Sequence, residues 1–253
     1  MNEALKTVSS GYRIAYIGFL LEVLAIVLAI MLVVDATFGK GGGLLASVEA
    51  VYVTQGVLLL GQTVGLAGRF QCMAAPPQIG GKLMIVFSIV TATLCVTLKV
   101  IVAISLFVVE LLPLDVLLLL DPVANLLFMI SVFFLVAFTK PVAKYIRREE
   151  LAASAQLVLV LAILLAVLGI AFVAVQRMAP AIAGNAGNVD RAKYMAGILL
   201  LVIAVIFIIY TICYGNLLSG MANETLKYAS MSGESHEDDS PGSRSDRSDA
   251  EDD

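Results

Sequence analysis

Charge is scarce in this 253-residue sequence, where 14% of residues are Asp, Glu, Lys or Arg, against about a quarter in an ordinary soluble domain. Together with 60% hydrophobic residues and a mean hydropathy of +0.97, that shortage excludes a soluble globular domain. Histidine occurs once, as His236 in a polar C-terminal stretch, which removes the usual zinc, haem and proton-shuttle chemistry from the apolar body. The three cysteines, Cys72, Cys95 and Cys213, are widely spaced in or beside apolar runs and read as small packing residues rather than a disulfide or metal set. No His is available to a Ser or Cys, no HExxH occurs, and the inner loops hold no clustered carboxylates. The chain therefore reads as a non-enzyme with no cofactor and no metal. "FGKGGG" at 38–43 lacks both the spacing of a phosphate loop and a preceding strand, and reads as a flexible outer loop.

What the sequence has in abundance is long apolar runs. Six of them, at about 14–34, 51–68, 83–109, 117–138, 157–175 and 195–217, approach the roughly 20 residues that cross a 30 Å hydrocarbon layer as a helix. They predict an all-α, polytopic bundle of six transmembrane helices over 14–217, between an N-terminal segment 1–13 and a C-terminal segment 218–253. From Glu234 onward "ESHEDDSPGSRSDRSDAEDD" holds nine acids and two arginines. It has too little apolar surface to order itself, so a disordered acidic tail is expected from about 234.

Lys and Arg in alternate loops set the orientation, since cytoplasmic loops carry the excess. One side holds eleven (Lys6, Arg13, Arg69, Lys82, Lys140, Lys144, Arg147, Arg148, Lys227, Arg244, Arg247) and the other four (Lys40, Arg177, Arg191, Lys193). Both termini are therefore expected in the cytoplasm. The stretch "TKPVAKYIRREELAASAQ" reads as a basic amphipathic helical extension at the inner face, where Lys140, Lys144, Arg147 and Arg148 would meet lipid phosphates.

Lys99, in "TLCVTLKVIVAI", is the sharpest polar feature. Placed on its predicted span it lies about 4.5 Å beyond the midpoint, and Glu22 lies about 3 Å short of its own. The two depths are within the combined reach of a Glu and a snorkelling Lys, so a Glu22–Lys99 pair is expected, with Gln62 as a third member of an intramembrane polar cluster. Such a pair could fix the packing of the first and third helices or serve a proton or ion site; a shallower Lys99 would simply snorkel. The second helix places Gln55, Gln62 and Arg69 at intervals of seven, a polar stripe. Its Gly61, Gly65 and Gly68 form a face of small residues on which a neighbouring helix could pack closely. Glu110, Asp115 and Asp121 cluster at the outer surface, and Asp121 before Pro122 reads as the cap of a fourth helix starting near 122; a longer, kinked fourth helix is the alternative.

"GQTVGLAGRFQCMAAPP" and "TKPVAKYIRREELA" resemble small multi-pass membrane proteins of planctomycete-type bacteria. The resemblance implies a bacterial membrane and carries no activity or functional residue with it; the cytoplasmic (inner) membrane is the expected location. The leading expectation is an accessory, scaffold or assembly component of a membrane complex, with the lipid bilayer, a protein partner or a second copy as partners. Its acidic tail would be available to basic partners, and nucleic acid is not expected. The runner-up is a small transporter or ion channel lined by Glu22, Gln62 and Lys99.

Overall fold

The computed structural model describes the backbone of residues 2–38, 48–107, 113–182 and 186–234, and the side chains of 2–32, 50–105, 113, 116–117, 119–171 and 197–231. The described backbone is helical apart from short turns: α1 Asn2–Phe38, α2 Val48–Cys72, α3 Lys82–Phe107, α4 Leu114–Tyr145, α5 Glu149–Ile182 and α6 Ala186–Glu234, with a 3-10 turn at Pro77–Ile79. Six of these helices are long and apolar enough to cross a membrane, as their hydropathy led us to expect.

Each helix runs antiparallel to its sequence neighbour, and α6 returns to α1, so the six form a closed ring in chain order. Pairs of residues fix the registers. Gly18 lies on Gly61 and Gly65 between α1 and α2, and Ser88 meets Ser131 between α3 and α4. Lys140 bonds Gln156 between α4 and α5, Arg148 pairs with Glu224 between α5 and α6, and Ser9 bonds the Ala222 carbonyl between α6 and α1. Between α2 and α3 the chain reverses over 73–81. Gly80 and Gly81 there adopt φ of +75° and +74°, values that a Cβ disfavours, and Gly81 lies against the ring of Pro141.

The buried core gathers at the end of the ring that carries the start of α1 and the end of α6. It comprises Leu5, Val8, Tyr12 and Ala15 of α1, Phe138 and Val142 of α4, Ala152, Ala155 and Val158 of α5, and Tyr214, Leu217, Leu218 and Met221 of α6, among others. The Tyr12 hydroxyl crosses the ring to Thr139 of α4 (3.3 Å). In α5 and α6 packing thins toward the other end, with no residue buried over 159–171 or 197–213, whereas α3 and α4 keep Val102, Ser105 and Leu117 buried there. We call the two ends closed and open.

The helices overrun the predicted spans at the closed end, for one reason. Hydropathy runs end where polar and charged residues accumulate, whereas burial follows helical periodicity. In α1, Leu5, Val8, Tyr12 and Ala15 recur every three or four residues on either side of Lys6 and Arg13, so residues 2–13 are packed helix rather than a separate segment. In α6, Tyr214, Leu218, Met221, Thr225 and Ala229 form the same stripe, so the predicted C-terminal segment begins with helix as far as Glu234. Residues 235–253, the remainder of the expected acidic tail, lie outside the described residues. The basic stretch after the fourth span is two helices and a turn: α4 ends at Tyr145, and α5 starts at Glu149. The fourth helix is also the longer of the two alternatives, beginning at Leu114 with Pro122 inside it.

Candidate functional site

Between α2, α3 and α4 the ring encloses polar side chains in a region of otherwise apolar helix. The lowest are two serines. Ser88 donates to the Ser131 carbonyl (2.7 Å) and Ser131 to the Ser88 carbonyl (2.8 Å), so each hydroxyl bridges to the other helix, and both are fully buried. Against them lies Arg69, near the end of α2, which donates Nε–H to Ser88 Oγ at 3.2 Å. Arg69 is 3% exposed, so Ser88 supplies an acceptor that hydrocarbon cannot. Ser88→Ala should therefore lower stability by about 1–3 kcal/mol, the cost of leaving a buried charged donor unsatisfied. Ser131→Ala, which leaves that acceptor in place, should cost less; thermal unfolding of the two variants in detergent checks the order.

The rest of the Arg69 side chain turns toward α1 through a gap that glycine creates. A Cβ on Gly65 would lie 3.0 Å from Arg69 Nη1 and 3.8 Å from Glu22 Oε1. The base of α2 and the acid of α1 thus approach one empty point from two sides. Gly61, a turn earlier, lies beneath the Glu22 side chain, which is 9% exposed. Among the described residues no hydrogen bond or ion pair within 4 Å reaches the Glu22 carboxylate.

Further toward the open end, the Cys95 thiol of α3 faces Gln62 Oε1 of α2 at 3.8 Å. One turn on, Lys99 donates to Asp121 Oδ1 of α4 at 2.5 Å, and Asn125 Nδ2 donates to the other carboxylate oxygen at 3.2 Å. Lys99 is 8% exposed and the Asp121 side chain 47%.

This corrects the expected Glu22–Lys99 pair. The two residues do lie at comparable depths, but α1 neighbours α2 and α6, not α3, whereas the antiparallel α4 brings Asp121 level with Lys99. Asp121 is correspondingly not an outer-surface cap but lies inside α4, four residues before Asn125. Glu110 lies outside the described residues, and the side chain of Asp115 is not described; residues 39–43 of the expected glycine loop are likewise outside them. Gln62 and Arg69 are buried, but Gln55 is exposed: a seven-residue spacing drifts about 20° per step on a straight helix, and by Gln55 the helix has reached the open end. Gly61, Gly65 and Gly68 all face α1, where Gly18 and Gly11 meet them backbone to backbone.

Of the cations expected at the inner face, Lys140, Lys144 and Arg147 line a cleft between α4 and α5, while Arg148 is held by Glu224 at 2.6 Å. Cys72 and Cys95 are buried free thiols and Cys213 a half-buried one. Among the described residues no group of His, Cys, Asp and Glu is arranged to hold a metal. Ser88 and Ser131 are the functional candidates that the spacing rules passed over. Serines inside apolar runs carry a signal only as interhelical glue, and nothing in their spacing marks them as partners of an arginine.

The result is a column of polar side chains from four helices. Along α3 it climbs from Ser88 to Lys99, about 16 Å at 1.5 Å per residue: Arg69 stands at the foot beside Ser88, Glu22 stands partway up beside Gly61 and Gly65, apart from Arg69, and Lys99 meets Asp121 at the top. Such an arrangement can hold and pass a proton or a small cation. No protein-family model, curated protein or solved structure matches the chain.

Proposed function

We propose that the protein is a small membrane transporter or ion pathway in which Glu22 is the ion- or proton-binding carboxylate. The observation that carries this reading is the separation of Glu22 from Arg69 across Gly65. A pair kept only to lock helices together closes into contact, as Lys99 and Asp121 do. An acid and a base held apart at membrane depth retain the cost of burial without the full Coulombic return. Ionisable groups retained at that cost mark ion pathways and proton relays. From Glu22 the path extends past Gln62, Cys95 and Lys99 toward the open end, with Arg69 on its closed-end side. The excess of Lys and Arg orients the closed end to the cytoplasm, in a bacterial inner membrane, and no catalytic step is assigned.

The test is flux. In sealed liposomes containing a pH-sensitive dye, the reconstituted protein should dissipate an imposed proton or cation gradient, and Glu22→Gln should reduce the rate to that of empty liposomes. Equal flux through wild type and Glu22→Gln would remove Glu22 from the path, and no flux through either under any cation gradient would remove the transport reading.

A second reading, an accessory or assembly component, is favoured by α6. Its residues 197–213 are apolar on every side and none is buried, a surface that a protein partner or a second copy could cover. Affinity purification from native membranes, with and without residues 234–253, separates the readings: a stoichiometric partner lost on truncation supports assembly through the acidic tail.

A further inference from the structure

The turn from α4 into α5 is built with an unusual residue. Arg148 N–H bonds the Ala143 carbonyl (2.9 Å) and Arg147 N–H the Lys144 carbonyl (3.0 Å), the two bonds of a Schellman helix end. The residue that donates the second of these bonds must adopt a left-handed conformation, for which glycine is the usual choice. Here it is Arg147, at φ +58°, the one non-glycine with positive φ among the described residues. An arginine held at a glycine position puts its charge beside Lys144 and Lys140. These three cations, with Glu149, Ala152, Ala153 and Gln156, line a cleft of about 770 Å³.

Three cations against one carboxylate leave an excess of positive charge in the cleft. Gln156 accepts from Lys140 through Oε1 (3.2 Å), which steadies that ammonium and leaves the amide's own N–H groups to donate. The cleft therefore suits an oxyanion with several acceptor oxygens. The neighbouring surface of α5 selects the source of that anion. The lining face 149, 153 and 156 continues at helical spacing as Val160, Ile163 and Val167, each more than half exposed. An anionic head beside an apolar stripe is the outline of a lipid, not of a free ion.

We infer that the cleft between α4 and α5 binds the phosphate headgroup of an anionic membrane lipid, with Arg147 as the cation that gives it selectivity and the α5 stripe as the seat of its acyl chains. This site is separate from the polar column and stands whether or not the protein transports.

Arg147→Gly separates this role from folding. Glycine suits the left-handed position better, so purified Arg147→Gly should unfold at the same temperature as wild type or higher when no lipid is added. Its affinity for short-chain phosphatidylglycerol, measured by lipid-dependent thermal stabilisation and by retention in native mass spectrometry, should fall about fivefold, the factor one cation contributes near an anionic surface. Lys144→Gln, an exposed change, should fall similarly. Equal affinity of wild type and both variants would overturn the inference. So would stabilisation by phosphatidylcholine as strong as by phosphatidylglycerol, and inorganic phosphate matching the lipid at equal concentration would overturn the assignment to a lipid.

Discussion

Gly18→Val is expected to prevent α1 and α2 from docking and so to abolish recovery of the folded bundle. A Cβ at Gly18 would lie 2.5 Å from the Gly65 nitrogen, 2.7 Å from the Gly61 carbonyl oxygen and 2.8 Å from Gly65 Cα. All three are backbone atoms, so no rotamer change relieves the clash and the helices themselves must separate. Overpacking that a core can absorb costs about 1–3 kcal/mol; a clash repeated along the interface, with Gly68 against Gly11 and Ala15, should exceed that. Gly56→Ala is the control. It lies on the same α2, with nothing within 4 Å of its would-be Cβ, and should be neutral or stabilising by up to about 1 kcal/mol, the helix propensity gained. Monodispersity on size exclusion and thermal unfolding in detergent would show the contrast; recovery of folded Gly18→Val at wild-type level would mean that this interface does not exist. Gly65→Ala is a third case, because the one tight contact of its Cβ is with the far end of Arg69 at 3.0 Å, Glu22 Oε1 lying at an ordinary 3.8 Å. That flexible tip can yield, so stability should change little while the space shared by Arg69 and Glu22 closes.

The second large effect is asymmetric. Asp121→Leu should destabilise by about 3 kcal/mol, because it strands Lys99 in a site that is 8% exposed, and an uncompensated buried charge is the expensive product of a broken pair. Lys99→Met should cost less, about 1 kcal/mol, since Asp121 keeps its Asn125 bond and is half exposed. The double variant should recover most of the loss, as apolar replacement of both partners removes the unpaired charge. Chemical or thermal unfolding of the three variants measures the cycle. A Lys99→Met loss larger than that of Asp121→Leu would reverse the burial order and place the carboxylate against lipid.

Those two predictions mark where the sequence could and could not be read. Six apolar helices were legible because hydrocarbon imposes a length and a composition on anything that crosses it. The glycine face of α2 was legible because three residues without side chains on one face leave a groove. The partner of Lys99 was not, because sequence spacing gives depth along a helix but not which helix stands beside it. Glu22 had a suitable depth, yet the ring order places α2 between α1 and α3. Asp121 reads as a cap because Pro122 is the next residue, and Asp–Pro at a helix start is the commoner pattern; within a membrane helix a proline can be carried in the interior. The closed-end extensions were hidden for a related reason, since Lys6, Arg13 and Asn216 interrupt a hydropathy run without interrupting a helical stripe.

The uneven packing of the ring also has a mechanical meaning. With α5 and α6 clamped at Val158 and Tyr214 against Tyr12 and Phe138, their lengths over 159–171 and 197–213, where no residue is buried, would act as levers on a shared fulcrum. From Tyr214 to Ile198 is roughly 24 Å of helix, so a tilt of about 5° at the fulcrum moves Ile198 by roughly 2 Å. Displacements too small to disturb the clamp are thereby magnified at the far end, where they would widen or narrow the mouth of the ring.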